Sequence, residues 1–168
     1  MDKAKATCLE MFNQRGYTLI ENEGDQIIAA KKDDTQIIAF FWKNPKFSVK
    51  DIQCYIGLMN ELGIYHAVII YKDNITSFTK KVVLQSQEME FELFSMADMQ
   101  YNISKHILQP KFEKLSKEDV CEFKKKYGIK FPVLRKDDPI SRFYNYKRGD
   151  IIRVRRKNNT IAYRIVKG

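Results

Sequence analysis

Apolar positions Cys8, Leu9, Met11 and Phe12 cluster in an otherwise charged opening segment, and Gly16 stands where a left-handed cap would end a helix. The spacing predicts a helix to Gln14. Two β-rich runs follow, "QIIAAKK" (Gln26 to Lys32) and "QIIAFFW" (Gln36 to Trp42), parted by the turn-like pair Asp33-Asp34. They predict a hairpin. Ser48 with Asp51 three residues on is a helix-start signature, and Ile52, Tyr55, Ile56 and Met59 recur at helical spacing until Gly63. The short continuous run "YHAVIIY" then predicts a central strand covered on both faces. Strand, helix and strand make a crossover unit.

Downstream, "DNITSFTKKVVLQS" predicts a turn entering a helix, with Thr76 or Ser77 as cap, and "MEFELF" alternates as a strand does. The character changes near "NISKHILQPKFEKL": Pro110 interrupts, the charge reverses, and a second capped helix runs from Ser116 to Gly128. A boundary between Tyr101 and Lys105 divides the chain into residues 1–103 and 104–168. In "DDPISRFY", Pro139 suits the start of a short helix. "GDIIRVRRKNNTIAYRIV" predicts a hairpin turning through Asn158-Asn159. Alternation puts Ile152 and Val154 on one face of its first strand, with Arg153 and Arg155 on the other; Ile161, Tyr163 and Ile165 share one face of its second. The expected class is α+β or mixed α/β, in two small domains.

Composition narrows the chemistry. Of the 168 residues 44% are apolar and 30% charged, ordinary globular values. No apolar run approaches the roughly 20 residues of a membrane span, and the N-terminus does not resemble a signal peptide, so a soluble, unexported protein is expected. Cys8, Cys54 and Cys121 are odd in number and far apart, which fits a reducing compartment rather than a disulfide framework. Two histidines, His66 and His106, without a Cys-x-x-Cys pair, do not make a zinc site; His66 reads as a strand-entry residue. Residues 1–110 carry 12 Lys/Arg against 14 Asp/Glu, a net of −2, whereas residues 111–168 carry 18 against 7, a net of +11. The chain has two electrostatic halves.

No glycine-rich phosphate loop and no nucleophile elbow is present, so neither nucleotide binding nor triad catalysis has support. No cofactor is expected. The order of helix, strands and crossover helix resembles the core of metal-dependent nucleases, with Asp25 or Asp33 as first acid and Lys43 as the lysine. Phe41 stands where that pattern needs a Glu, and an aromatic ring cannot bind Mg²⁺. The expectation is a nuclease-like scaffold without its metal site.

The tripeptide Arg148-Gly149-Asp150 occurs in adhesion ligands, yet a turn in which Gly149 supplies positive φ and Asp150 opens a strand accounts for it. Around it Lys147, Arg148, Arg153, Arg155, Arg156, Lys157 and Arg164 form a basic stripe that can meet phosphates or an acidic protein surface. Aromatics are not interleaved along it as single-strand binders need, which favours the protein-facing or solvated reading.

From Leu115 onward, "LSKEDVCEFKKKYGIKFPVLRKDDPISRFYNYKRGDIIRVRR" and "IAYRIV" resemble the assembly domain of the fifth subunit of eukaryotic DNA-dependent RNA polymerases, a domain shared with its smaller archaeal homologue. The matching motifs are Ser116-Lys117-Glu118, Tyr127, Phe131-Pro132-Val133-Leu134, Asp138-Pro139-Ile140-Ser141-Arg142-Phe143, Lys147-Arg148-Gly149-Asp150 and Tyr163-Arg164-Ile165-Val166. Upstream, "NQRGYTL", the run from Ile37 to Lys81 and "YNISKHILQPKFEKL" are similar to the jaw domain of the eukaryotic form and the junction after it.

The resemblance implies a non-catalytic polymerase subunit. Residues 104–168 would dock on the largest subunit through Phe131, Pro132, Asp138, Pro139, Arg142, Phe143, Tyr144, Arg148, Gly149, Asp150, Tyr163 and Arg164. Phe131, Arg142, Phe143 and Tyr144 are the expected anchors, since aromatics and Arg dominate such hot spots. Thr76, Ser77 and Lys80 match the jaw loop beside downstream duplex, and would meet its backbone weakly without reading bases. A short linker before Phe131, a hairpin tip cut to Lys157-Asn158-Asn159-Thr160 and the lack of an acidic jaw insertion depart from the family. This trimming suggests a divergent polymerase, cellular and nuclear, or of a large DNA virus, in its factory or virion. The rival classes are a stand-alone basic nucleic-acid-binding protein and a divergent nuclease.

Overall fold

The computed structural model describes residues 1–44, 46–72, 74–86, 88–128 and 130–168, with Leu84 described by its backbone alone. The chain divides into two compact units, Met1–Tyr101 and Asn102–Gly168, of mixed helix and sheet. Their net charges are −3 and +12. No helix among the described residues is long and apolar enough to cross a membrane.

The first unit is built on five strands: β1 (Thr18–Glu23), β2 (Gln26–Ala30), β3 (Gln36–Trp42), β5 (His66–Tyr71) and β7 (Glu90–Ser95), in the order β1-β2-β3-β5-β7. β1, β2 and β3 are antiparallel; β3, β5 and β7 are parallel. Alternation sends Ile38, Phe40, Ala67, Ile69 and Phe91 to one face, where Ile52 and Met59 of α2 (Val49–Leu62) and Val83 of α3 (Ser77–Leu84) join the same cluster. Ala4, Cys8, Met11 and Phe12 of α1 (Asp2–Gln14) are also buried. β5 carries four consecutive buried residues, as a strand with both faces covered requires. The expected hairpin forms by β2 and β3, and α2 has the expected start: Asp51 accepts from the Ser48 backbone N–H at 2.7 Å in a capping box, and Gly63 ends the helix at φ 67°.

β1 is an element without a clear sequence signal. All six of its residues are exposed, because it is an edge strand held by backbone pairing to β2 rather than by burial. The two-residue strands β4 (Lys46–Phe47) and β6 (Asn74–Ile75) pair in parallel beyond the ends of β3 and β5.

The second unit has four strands ordered β8-β10-β11-β9: β8 (Lys111–Lys114), β9 (Val133–Arg135), β10 (Ile151–Arg155) and β11 (Ile161–Lys167). The hairpin β10–β11 turns with Asn159 at φ 61°. Ile152, Val154 and Val166 pack with Leu134, Ile140 and Tyr146, and with the half-buried Ile103, Phe112, Tyr144 and Ala162. α4 (Lys117–Tyr127) starts at Ser116, whose hydroxyl accepts from the Asp119 N–H at 3.1 Å, and α5 (Pro139–Phe143) at Asp138. None of the eleven residues of α4 is buried.

Candidate protein-docking and nucleic-acid interfaces

The register of the final hairpin decides where its basic stripe points. Arg153 faces Tyr163 and Arg155 faces Ile161 across the ladder, whereas Ile152 faces Arg164 and Val154 faces Ala162. The apolar set Ile161, Tyr163 and Ile165 therefore shares its face with the arginines, opposite Ile152 and Val154. Alternation along each strand holds, but the two apolar sets lie on opposite faces of the sheet. On the arginine face Phe123 of α4 sits 4.2 Å from Tyr163 and 5.1 Å from Phe131, ring centre to ring centre. Glu113 on β8 stands across from Arg153, with its carboxylate 3.6 Å from Arg153 and 3.9 Å from Arg155. Two arginines of the stripe thus have an acidic neighbour within the unit, while Arg148, Arg156 and Lys157 are exposed.

The twelve residues expected to dock fall into separate places. Phe131 and Tyr163 belong to the arginine face, with Pro132 exposed beside them and its carbonyl accepting from Ile165 N–H at 3.0 Å. Asp138 caps α5, its carboxylate accepting from Ile140 N–H at 2.9 Å, and Pro139 is exposed at the first helical position. Tyr144 stacks on the buried Tyr146 at 5.4 Å, on the opposite face from Tyr163. Burial pushes the Tyr146 hydroxyl pKa up, with Tyr144, Asp150 and Glu113 adding to it. Phe143 is 3% exposed, so its ring is core in this chain. Phe143 and Tyr144 touch, ring centres 5.3 Å apart, whereas Phe131 lies with Tyr163 on the opposite face from Tyr144.

Arg148-Gly149-Asp150 is a structural turn. Gly149 has φ 91° and its N–H reaches the Val166 carbonyl at 2.9 Å. The Asp150 carboxylate accepts from Lys147 N–H at 2.8 Å and pairs with Lys114 at 2.9 Å, just before β10 begins. An adhesion ligand needs a free carboxylate here, and this one is occupied. Arg164 donates to the Val133 carbonyl at 3.2 Å.

In the first unit the β4–β6 pairing sets Phe47 beside Ile75, so the next residues, Ser48 and Thr76, bring the starts of α2 and α3 side by side. They differ electrostatically. Asp51 fills the start of α2, whereas α3 has no acid in its first turn; Thr76 accepts from Thr79 N–H at 3.1 Å. Helix geometry leaves the N–H groups of Ser77 and Phe78 without an intrahelical acceptor. Ser77, Lys80, Lys46, Lys50 and Lys72 are exposed around them, and Phe78 is 69% exposed. Sequence reasoning found Thr76, Ser77 and Lys80; the lysines of the α2 side came together only through the two short strands.

The nuclease-like positions hold a buried ring and an ion pair. Phe41 is buried, and Lys43 pairs with Asp25 at 2.7 Å; Asp33 accepts from Thr35 N–H at 3.1 Å in an exposed turn. Among the described residues a different group, His66, Glu90 and Glu92, places three possible metal ligands within 4.8 Å of one another. Arg15 grips both oxygens of Glu92, at 2.6 and 2.8 Å, and His66 Nε2 lies 2.8 Å from the same carboxylate. A guanidinium bound to the central carboxylate opposes a divalent cation there, so the donor set fits an ion-pair network. Burial raises the Glu92 pKa, but Arg15 and the hydrogen bonds from His66 and Arg15 outweigh it and bring it down to about 2.

The family model described as RNA polymerase Rpb5, C-terminal domain, matches residues 101–166. Over nearly its whole length the chain is similar to the putative DNA-directed RNA polymerase subunit 454R of Invertebrate iridescent virus 6, at 32% identity over 94% of this chain and 95% of the relative. It is similar to the DNA-directed RNA polymerases I, II, and III subunit rpabc1 of Dictyostelium discoideum, at 29% identity over 96% and 94%. The corresponding subunit of Caenorhabditis elegans is 25% identical over 98% and 94%. The chain belongs to the Rpb5 family of subunits of multisubunit DNA-directed RNA polymerases.

Proposed function

We propose that this chain is a non-catalytic subunit of a multisubunit DNA-directed RNA polymerase, that its Asn102–Gly168 unit docks on the largest subunit, and that its first unit stands beside downstream duplex DNA. The observation that carries the reading is likeness across both units to polymerase subunits, cellular and viral, together with a net charge of +12 on the second unit. A cationic sheet face bearing Tyr163, with Phe123 of α4 packed against its ring and Phe131 packed against Phe123, suits an interface with aromatic anchors and a polar rim. In the first unit the exposed amides and lysines around α3 suit phosphate contact without base readout, and the net charge of −3 keeps that contact weak.

Co-expression of the intact chain with the largest subunit of its polymerase tests the docking. The wild type should co-purify at equimolar ratio. Arg142→Glu should weaken retention at least roughly tenfold, a charge reversal at an interface being worth more than about 1.4 kcal/mol. A chain that stays alone, or is recovered only with nucleic acid, defeats the reading. For the jaw, Lys46→Glu with Lys80→Glu should leave assembly intact and reduce promoter-independent transcription roughly twofold, more at low salt than at high.

A further inference from the structure

We propose that α4 is a hinged cover on the arginine face of the second unit, opening and closing by itself while the sheet beneath stays folded. The inference concerns the free chain, so it stands or falls separately from the docking reading.

α4 owes its formation to local signals. Ser116 caps it, Glu118 and Asp119 occupy its first turn, and Lys124, Lys125 and Lys126 its last, each favourable to the helix dipole. A helix of 11 residues is nonetheless marginal in water without a surface to pack on. The hold that α4 has on the unit is thin. Val120 and Phe123 are half-buried and its other residues are exposed; the Phe123 ring lies 4.2 Å from Tyr163 and 5.1 Å from Phe131, centre to centre. The core formed by Ile152, Val154 and Val166 with Leu134, Ile140 and Tyr146 is on the other face of the sheet and loses nothing when Phe123 lifts.

Fixed points lie on either side of the helix. Leu115 is buried and its N–H donates to the Ile151 carbonyl at 3.0 Å; downstream, the Pro132 carbonyl accepts from Ile165 N–H at 3.0 Å. Between them the helix ends at Gly128, with φ 75° and ψ −154°, a conformation essentially confined to glycine. Nothing lies within 4 Å of the position a Cβ would take there, so the closed form needs glycine for its backbone and not for space.

The closed form also leaves a donor unsatisfied. Arg153 faces Tyr163 across the ladder, and its Nε is buried without a hydrogen-bond partner among the described residues, while its Nη1 stands 3.6 Å from Glu113. Water admitted to this face on opening can hydrate that N–H, which offsets part of the lost ring contact. The open form presents Tyr163, Phe131 and Arg153; the closed form withholds them.

The test is native-state hydrogen exchange on the intact free chain over a low-urea series. Amides of α4 should be protected at least roughly tenfold relative to an unstructured chain, yet exchange at least roughly a hundredfold faster than those of β10 and β11, each corrected for intrinsic rate. The α4 rates should barely respond to urea, because lifting one short helix exposes little surface. Gly128→Ala, which alters no packing contact, should speed α4 exchange by roughly tenfold by straining the closed form, with β10 and β11 unchanged. Exchange of α4 at the same urea-dependent rate as β10 would overturn the proposal, as would α4 amides with no protection at all, or α4 rates that do not move in Gly128→Ala.

Discussion

The two sheets of this chain are finished to different degrees. In the first unit α2 and α3 share a buried cluster with one set of strand residues, α1 buries Ala4, Cys8, Met11 and Phe12, and β5 is buried at four positions in a row. In the second unit the face bearing Ile152, Val154 and Val166 has a closed core; on the opposite face Ile151 is buried but Arg153, Tyr163 and Ile165 are half-buried, and α4, none of whose residues is buried, touches Tyr163 through Phe123. Exposed apolar side chains alone do not separate the units: Tyr127, Val133 and Ile161 are 44% to 57% exposed in the second, and Leu19, Tyr65 and Phe78 47% to 69% in the first. The half-buried apolar and cationic face of the second unit is the surface that the proposed docking would cover.

The sharpest way to break the contrast is through the buried ion pair of the first unit. Arg15 and Glu92 are 5% and 10% exposed at their side chains, and His66 shares the carboxylate. Glu92→Gln removes the negative charge from the buried pair with Arg15. The expected loss is about 4 kcal/mol, since removing one partner of a buried pair typically costs about 3–5. It should be read by hydrogen exchange of peptides covering β5 and β7, with β10 and β11 unaffected. The wild type adds a pH signature. The Glu92 pKa is depressed from 4.5 to about 2, so its contribution is complete above about pH 4.5 and is lost as pH falls from there toward 2. The Gln variant should show no change of first-unit stability from this group across that window.

Why some features were legible and others not follows from the same contrast. "YHAVIIY" and the Ser48–Asp51 pair carry their information locally, in a buried run and a capping box, and both elements form as expected. The edge strand β1 and the short strands β4, β6, β8 and β9 owe their existence to a neighbour's backbone, which leaves no periodic trace. Glu92 sits in the alternating "MEFELF" and looks like a solvent-side residue; its partner Arg15 is 77 residues away. The turn at Gly149-Asp150 was readable because positive φ and an acidic side chain are local requirements. Which face of β11 meets the core was not, because Ile161, Tyr163 and Ile165 satisfy the apolar alternation of either arrangement. Only the register with β10 decides it.

A smaller effect is expected at the open face of the second unit. Phe123→Ala removes the ring that α4 places against Phe131 and Tyr163, and those are half-buried contacts. The loss should be about 2 kcal/mol, below the roughly 3–5 of a fully buried Phe. Amide protection of α4 should collapse while β10 keeps its own, because Ile152 and Val154 pack on the other face. Equal loss of protection in β10 would mean that α4 is integral to the core.

The smallest expected effect returns to the turn before β10. Asp150→Asn keeps one carbonyl oxygen to accept from Lys147 N–H and loses the charge that holds Lys114, a lysine whose side chain is 52% exposed. A surface pair of this kind contributes only about 0.2–1 kcal/mol. The variant should therefore lower the stability of the second unit by less than about 1 kcal/mol, and the loss should shrink further in high salt. Gly149→Ala at the preceding position should cost more, because its φ of 91° strains any side chain although nothing lies within 4 Å of the added carbon. A larger loss in Asp150→Asn than in Gly149→Ala would show that the carboxylate, rather than the backbone conformation, holds the strand entry.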